Sequence, residues 1–100
     1  MDRKIQLSNF PDVDSFKKDK INHLIESTYD KLAKRLHGEM FMEAHFKEAN
    51  KGGTRTLVEF HAKIVVNGKK FAASHSDWDA EAATHHVMQS LMKEAEKFKK

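Results

Sequence analysis

Two stretches of strict alternation constrain this chain more than any other feature. Met40, Met42, Ala44 and Phe46 point one way while Phe41, Glu43, His45 and Lys47 point the other. The pattern resumes with Val58, Phe60, Ala62, Ile64 and Val66 opposite Leu57, Glu59, His61, Lys63 and Val65. A period of two puts successive side chains on opposite faces of a strand, so each stretch predicts a strand with one apolar and one wet face. Asn50-Lys51-Gly52-Gly53 separates them as a flexible hairpin loop. Asn67-Gly68, two residues that tolerate positive φ, predicts a tight type I′ turn into a third strand, Lys69 to Ser74. A sheet that is apolar on one face needs other elements to cover that face.

The covering elements are visible on either side. Lys4 to Ser8 alternates as a short strand and is closed by Asn9-Phe10-Pro11. Asp12 or Asp14 then caps a long helix, in which Phe16, Ile21, Leu24, Ile25, Thr28, Tyr29, Leu32 and Leu36 recur on one side. Gly38 is its expected stop. Ser76 or Asp77 caps a last helix with Ala80, Ala83, Val87, Leu91, Ala95 and Phe98 at intervals of three and four. The order β-α-β-β-β-α, with one apolar face per strand, predicts a two-layer α+β sandwich with both helices on the same side of a four-stranded sheet.

Composition narrows the function. With 100 residues and 39% hydrophobic content, and with no linker or repeat, residues 1–100 are expected to form one domain. Cysteine is absent, so disulfides, thiolate nucleophiles and Cys-ligated metals are excluded. No segment approaches the roughly 18 apolar residues of a membrane span, and the start has no signal-peptide run, so a cytoplasmic protein with no membrane contact is expected. Neither a G-x-S-x-G motif nor a phosphate-binding glycine loop occurs. The expectation is therefore a protein that is not an enzyme, with no cofactor and no small-molecule substrate.

The chain carries a formal charge of +3 and a pI near 9.2, so the distribution of charge matters more than its total. Lys17, Lys18, Lys20, Lys31, Lys34 and Arg35 lie on the outward side of the first helix, and Lys93, Lys97 and Lys100 on that of the last. Helices side by side would set these stripes about a shared groove, where they could displace counterions from RNA. The competing reading is two ordinarily solvated faces, muted by Asp19, Asp30, Glu94 and Glu96. His45 and His61 share a polar face on strands that should be neighbours. His85 and His86 point about 100° apart on a helix, and no HExxH or Cys/His spacing occurs, so no metal site is expected. Trp78, before the last helix, is expected to pack against the sheet rather than stack on a base.

Ala62-Lys63-Ile64-Val65-Val66-Asn67-Gly68, then Ala73-Ser74, then Asp79 with Ala82-Ala83, follow the order and spacing of a known family. The chain resembles the ribosome hibernation-promoting factors and ribosome-associated translation inhibitors, also called the sigma-54 modulation protein family. Upstream, Tyr29, Lys31 and Leu32 are similar to the family's aromatic-x-Lys-Leu segment, and Val58-Glu59 to its third-strand start. The resemblance implies a β-α-β-β-β-α fold arranged like the double-stranded-RNA-binding domain. It also implies a stress-response role in translation regulation. Members of the family bind the small ribosomal subunit and its ribosomal RNA in the channel used by messenger and transfer RNA, silencing idle ribosomes by occupancy. Its basic positions fall on Lys31, Lys93, Lys97 and Lys99 here, to which the charge pattern adds Lys34, Arg35 and Lys100 as RNA contacts. Two positions depart from the family: Glu81 replaces a common aromatic and Ser90 a frequent basic residue. With nothing after Lys100, the short form without a dimerisation domain is expected. Two alternatives stand beside this reading: a protein-interaction module using the open sheet face, with His45, Lys47, His61, Lys63 and Lys70, or a free double-stranded RNA binder.

Overall fold

The computed structural model describes residues 4–11, 13–50 and 56–97. The elements run β1 (Ile5–Ser8), α1 (Ser15–Leu36), β2 (Met40–Asn50), β3 (Thr56–Val66), β4 (Lys69–Asp77) and α2 (Ala80–Glu96). This is the expected β-α-β-β-β-α sandwich. The strands lie in sequence order, with β1 parallel to β2 and the other pairs antiparallel. A parallel pair needs a crossover, and α1 supplies it. Lys51, Gly52 and Gly53 of the expected hairpin loop, Asp12 as an alternative cap, and Phe98 lie outside the described residues.

The alternation sets the two layers. Met42, Ala44, Phe46, Phe60, Ala62 and Ile64 face the helices and are buried, joined there by Ile21, Ile25 and Leu32 of α1 and by Ala83, Val87 and Leu91 of α2. Phe46 and Phe60 stack across β2 and β3 with ring centroids 4.3 Å apart, and Phe10 leans on Phe46 at 5.2 Å. Their partners in the alternation, among them His45, Lys47 and Lys63, face solvent on the uncovered side.

Tyr29 locks the crossover. Its hydroxyl donates to the Met40 carbonyl at 2.9 Å and accepts from the Lys4 amide at 3.1 Å, so one buried α1 side chain holds the ends of both parallel strands. Tyr29→Phe keeps the ring and strips both bonds. Leaving a buried carbonyl unsatisfied costs about 1–3 kcal/mol, which urea denaturation of the variant against the parent should show as a lower midpoint with unchanged slope.

Gly38 ends α1 as expected, and the structure gives a second reason for glycine there. Its φ is +132°, and a methyl at this position would overlap the Asn67 side chain. Asn67 sits at φ 52° in the turn before β4 and donates its side-chain amide to the His37 carbonyl at 2.7 Å. The turn residue thus also satisfies a carbonyl left over at the end of α1.

Two expectations need correction. Asp14 caps α1, its carboxylate accepting from the Lys17 amide at 2.8 Å, but the cap of α2 is Asp79, not Ser76 or Asp77. Pairing with β3 extends β4 as far as Asp77, opposite Val58, and Asp77 instead accepts from the Asp79 amide at 3.0 Å. Phe16 is 70% exposed rather than part of the apolar side of α1. Five residues before Ile21, it is rotated about 140° from it around the helix. Trp78, between β4 and α2, is 45% exposed.

Candidate nucleic-acid interface

The two helices run side by side in the same direction, joined at both ends. Near their starts the Lys17 ammonium lies 2.9 Å from the Asp79 carboxylate, and near their ends the Arg35 guanidinium lies 3.9 Å from Glu96. The carbonyl ends of both helices therefore fall at the same edge of the molecule. Cations are favoured there by the helix dipoles, and the last turns hold Lys34 and Arg35 in α1 and Lys93 in α2.

Lys31, Lys34 and Arg35 recur at helical spacing, which sets them on neighbouring parts of one face. All three line an open hollow of about 420 Å³, completed by His37 and by Met92 from α2. Lys31 and Lys34 are exposed, and Arg35 is held half-buried by its contact with α2. Three cations around an open cup suit anionic oxygen ligands, the guanidinium offering a planar fork and the ammonium groups mobile point charges. His37 was not singled out from the sequence. Its only signal there is its place between the last basic turn and Gly38.

The remaining candidates are less concentrated. Lys93 is exposed but does not line the hollow, and Lys97 pairs with Glu94 at 3.2 Å. From Ala80 to Glu96 the α2 sequence holds Glu81, Glu94 and Glu96 against Lys93 alone, so the second stripe is thinner than its periodicity suggested. Lys99 and Lys100 lie outside the described residues. The first half of the α1 stripe is engaged within the protein. Lys17 binds Asp79, Lys18 sits 5.5 Å from the centre of the Phe10 ring, and Lys20 sits 4.7 Å from that of Phe16.

The Lys17 and Asp79 link shifts both groups. The hydrogen bond from Lys17 holds the Asp79 carboxyl below its ordinary value of 3.8, and the same bond raises Lys17 above 10.5. A depressed carboxyl stabilises the fold fully above 3.8 and loses that contribution as pH falls through its folded value. A raised ammonium stabilises fully below 10.5 and loses its contribution as pH rises through its folded value. The stability difference between the parent and Lys17→Met, followed by thermal denaturation, should therefore be small and constant at neutral pH and shrink at both extremes. A difference that peaks outside the neutral range would contradict this assignment.

The histidines divide into separate arrangements. His45 and His61 stack at 4.9 Å across β2 and β3, while His86 stacks on His75 at 3.8 Å and His85 contacts Gln89 at 3.1 Å. Among the described residues no three potential His, Asp or Glu ligands gather about one point. No helix among the described residues is long and apolar enough to cross a membrane.

No family model matches the sequence, and no curated protein matches it. Solved structures do. The Protein Y N-terminal domain of Thermus thermophilus superposes with a TM-score of 0.71 over 99% of this chain and 100% of that one, at 15% identity. The fold is that of the Protein Y N-terminal domain. A ribosomal subunit interface protein from Coxiella burnetii shares it, with a TM-score of 0.61 and 14% identity over 94% of each chain. The resemblance carried by residues 62 to 83 and the Protein Y fold thus agree. The basic hollow lies on the helical layer, lined by α1, His37 and Met92 of α2.

Proposed function

We propose that this protein is a ribosome-associated translation inhibitor of the hibernation-factor family. It binds small-subunit ribosomal RNA in the messenger and transfer RNA channel through the basic ends of α1 and α2. It blocks translation by occupancy, with no bond made or broken, in the cytoplasm. The observation that carries this reading is the hollow formed by Lys31, Lys34 and Arg35, in a chain with the fold of a ribosomal subunit interface protein. Phosphate oxygens enter the hollow, and Met92 gives its wall an apolar side against sugar or base. Lys93 and Lys97 extend the contact along α2, and Lys99 and Lys100, outside the described residues, are the further candidate contacts.

Sedimentation with purified ribosomal subunits at low and high salt tests the proposal. The protein is expected to travel with the small subunit and to leave it as salt rises, with a log–log slope near roughly −4 for about five phosphate contacts. A protein that stays at the top of the gradient under both conditions overturns it. One that grips a plain RNA duplex as firmly as the subunit is a free duplex binder instead.

A further inference from the structure

The outer face of the sheet, away from the helices, holds an arrangement that the proposed function does not use. His45 is paired with His61, and His61 with Ser74, so these three residues form one row across β2, β3 and β4. Side chains in such a row project the same way from strands about 4.8 Å apart. The first two are rings, 10° from parallel with centroids 4.9 Å apart; the third is only a hydroxymethyl group. The stack therefore stops one strand short. The adjoining row ends the same way, because Lys63 pairs with Glu43 at 3.2 Å and the β4 position beside them is Ala72. Above these two small residues lies an open hollow of about 410 Å³, walled by His61 and Lys63. The Nε2 atom of His61 lies 3.2 Å from the Glu59 carboxylate, which holds the ring in this orientation.

We propose that this slot receives an unpaired base of single-stranded RNA. The base continues the His45 and His61 stack as a third ring, with the Ser74 hydroxyl beneath its edge as a hydrogen-bond partner. Stacking on an aromatic plane is how unpaired bases are held, and a base inside a duplex is not available for it. The width of the slot is set by the missing ring of a regular row, which fits a planar group better than a tetrahedral aliphatic side chain. Lys63 is matched by Glu43, which also lines the hollow, so the cations this face offers a strand are Lys70 and, farther along β2, Lys47, spread over more than one nucleotide length. That spread favours a strand over a free nucleotide. The site is on the opposite layer from Lys31, Lys34 and Arg35 and stands or falls separately from ribosome binding.

The test is fluorescence polarisation of an end-labelled oligoadenylate octamer at low salt, with each protein's fold checked by its thermal transition. Ser74→Leu fills the slot and His61→Ala removes its wall. Each is expected to weaken octamer binding about tenfold, the scale of one lost base stack. Both substitutions are made also in the Lys31→Glu, Lys34→Glu background, where the hollow on the helical layer no longer competes for the phosphates of the octamer, and the same tenfold loss is expected there. The proposal is overturned if the folded parent fails to bind the octamer, or if folded Ser74→Leu and His61→Ala bind it unchanged. Loss of binding in the helix variant alone would move the strand to the other layer. Adenosine monophosphate competing as well as the octamer would make this a free-nucleotide site instead, also against the proposal.

Discussion

Replacing Lys31 and Lys34 together by glutamate is expected to weaken binding to the small ribosomal subunit by about a hundredfold or more. Each hydrogen bond to a charged partner contributes about 1.5–3 kcal/mol, and losing two gives at least about 3 kcal/mol, or two powers of ten. Reversal adds repulsion from the phosphates on top of that loss. Both side chains are exposed, so the fold should survive. The cost to the helix is about 0.3–1 kcal/mol for each cation lost near its carbonyl end. Quantitative pelleting with subunits, beside a thermal transition for each variant, is the measurement. Lys93→Glu with Lys97→Glu supplies the comparison for α2. Its effect should be the smaller, because Lys97 already shares its charge with Glu94 and neither residue lines the hollow. Undiminished association by both folded double variants would remove the helical layer from the interface.

Phe60→Ala should be the most damaging single change to the fold. The ring is fully buried at the middle of β3 and stacks on Phe46, so its removal leaves a cavity that backbone pairing on both sides keeps from closing. Phenylalanine-to-alanine changes in such sites cost about 3–5 kcal/mol. Against a total of about 5–15 kcal/mol for a domain of this size, that is a large share of its stability. The melting temperature should fall by more than about 12 °C, read by circular dichroism. A shift of only a degree or two would mean that the neighbouring side chains collapse into the space.

These two experiments probe different layers of one sandwich. The sheet contributes the inner aromatic pair to the core, while Lys31 and Lys34 of the helical layer are exposed and contribute little to it. Lys17 with Asp79 and Arg35 with Glu96 couple the helices at their ends without filling the hollow.

The amino-acid sequence by itself determined the strands and the order of elements, because a period of two or of three to four is local. Each residue of β2 and β3 reports its face through its immediate neighbours, and Asn67-Gly68 marks its own turn. The basic cluster of α1 was legible for the same reason: Lys31, Lys34 and Arg35 lie three and four residues apart on one helix. Tertiary structure decided what depends on residues far apart in the chain. How far β4 runs, and hence that Asp79 rather than Asp77 caps α2, follows from pairing with β3. That Met92 closes the hollow and Glu96 reaches Arg35 follows from the parallel placement of two helices more than forty residues apart in sequence. The row His45, His61 and Ser74 needed the strand register, which a one-residue slip would have turned to the other face. Periodicity says which way a side chain points; only the register and the placement of the helices say what it meets there.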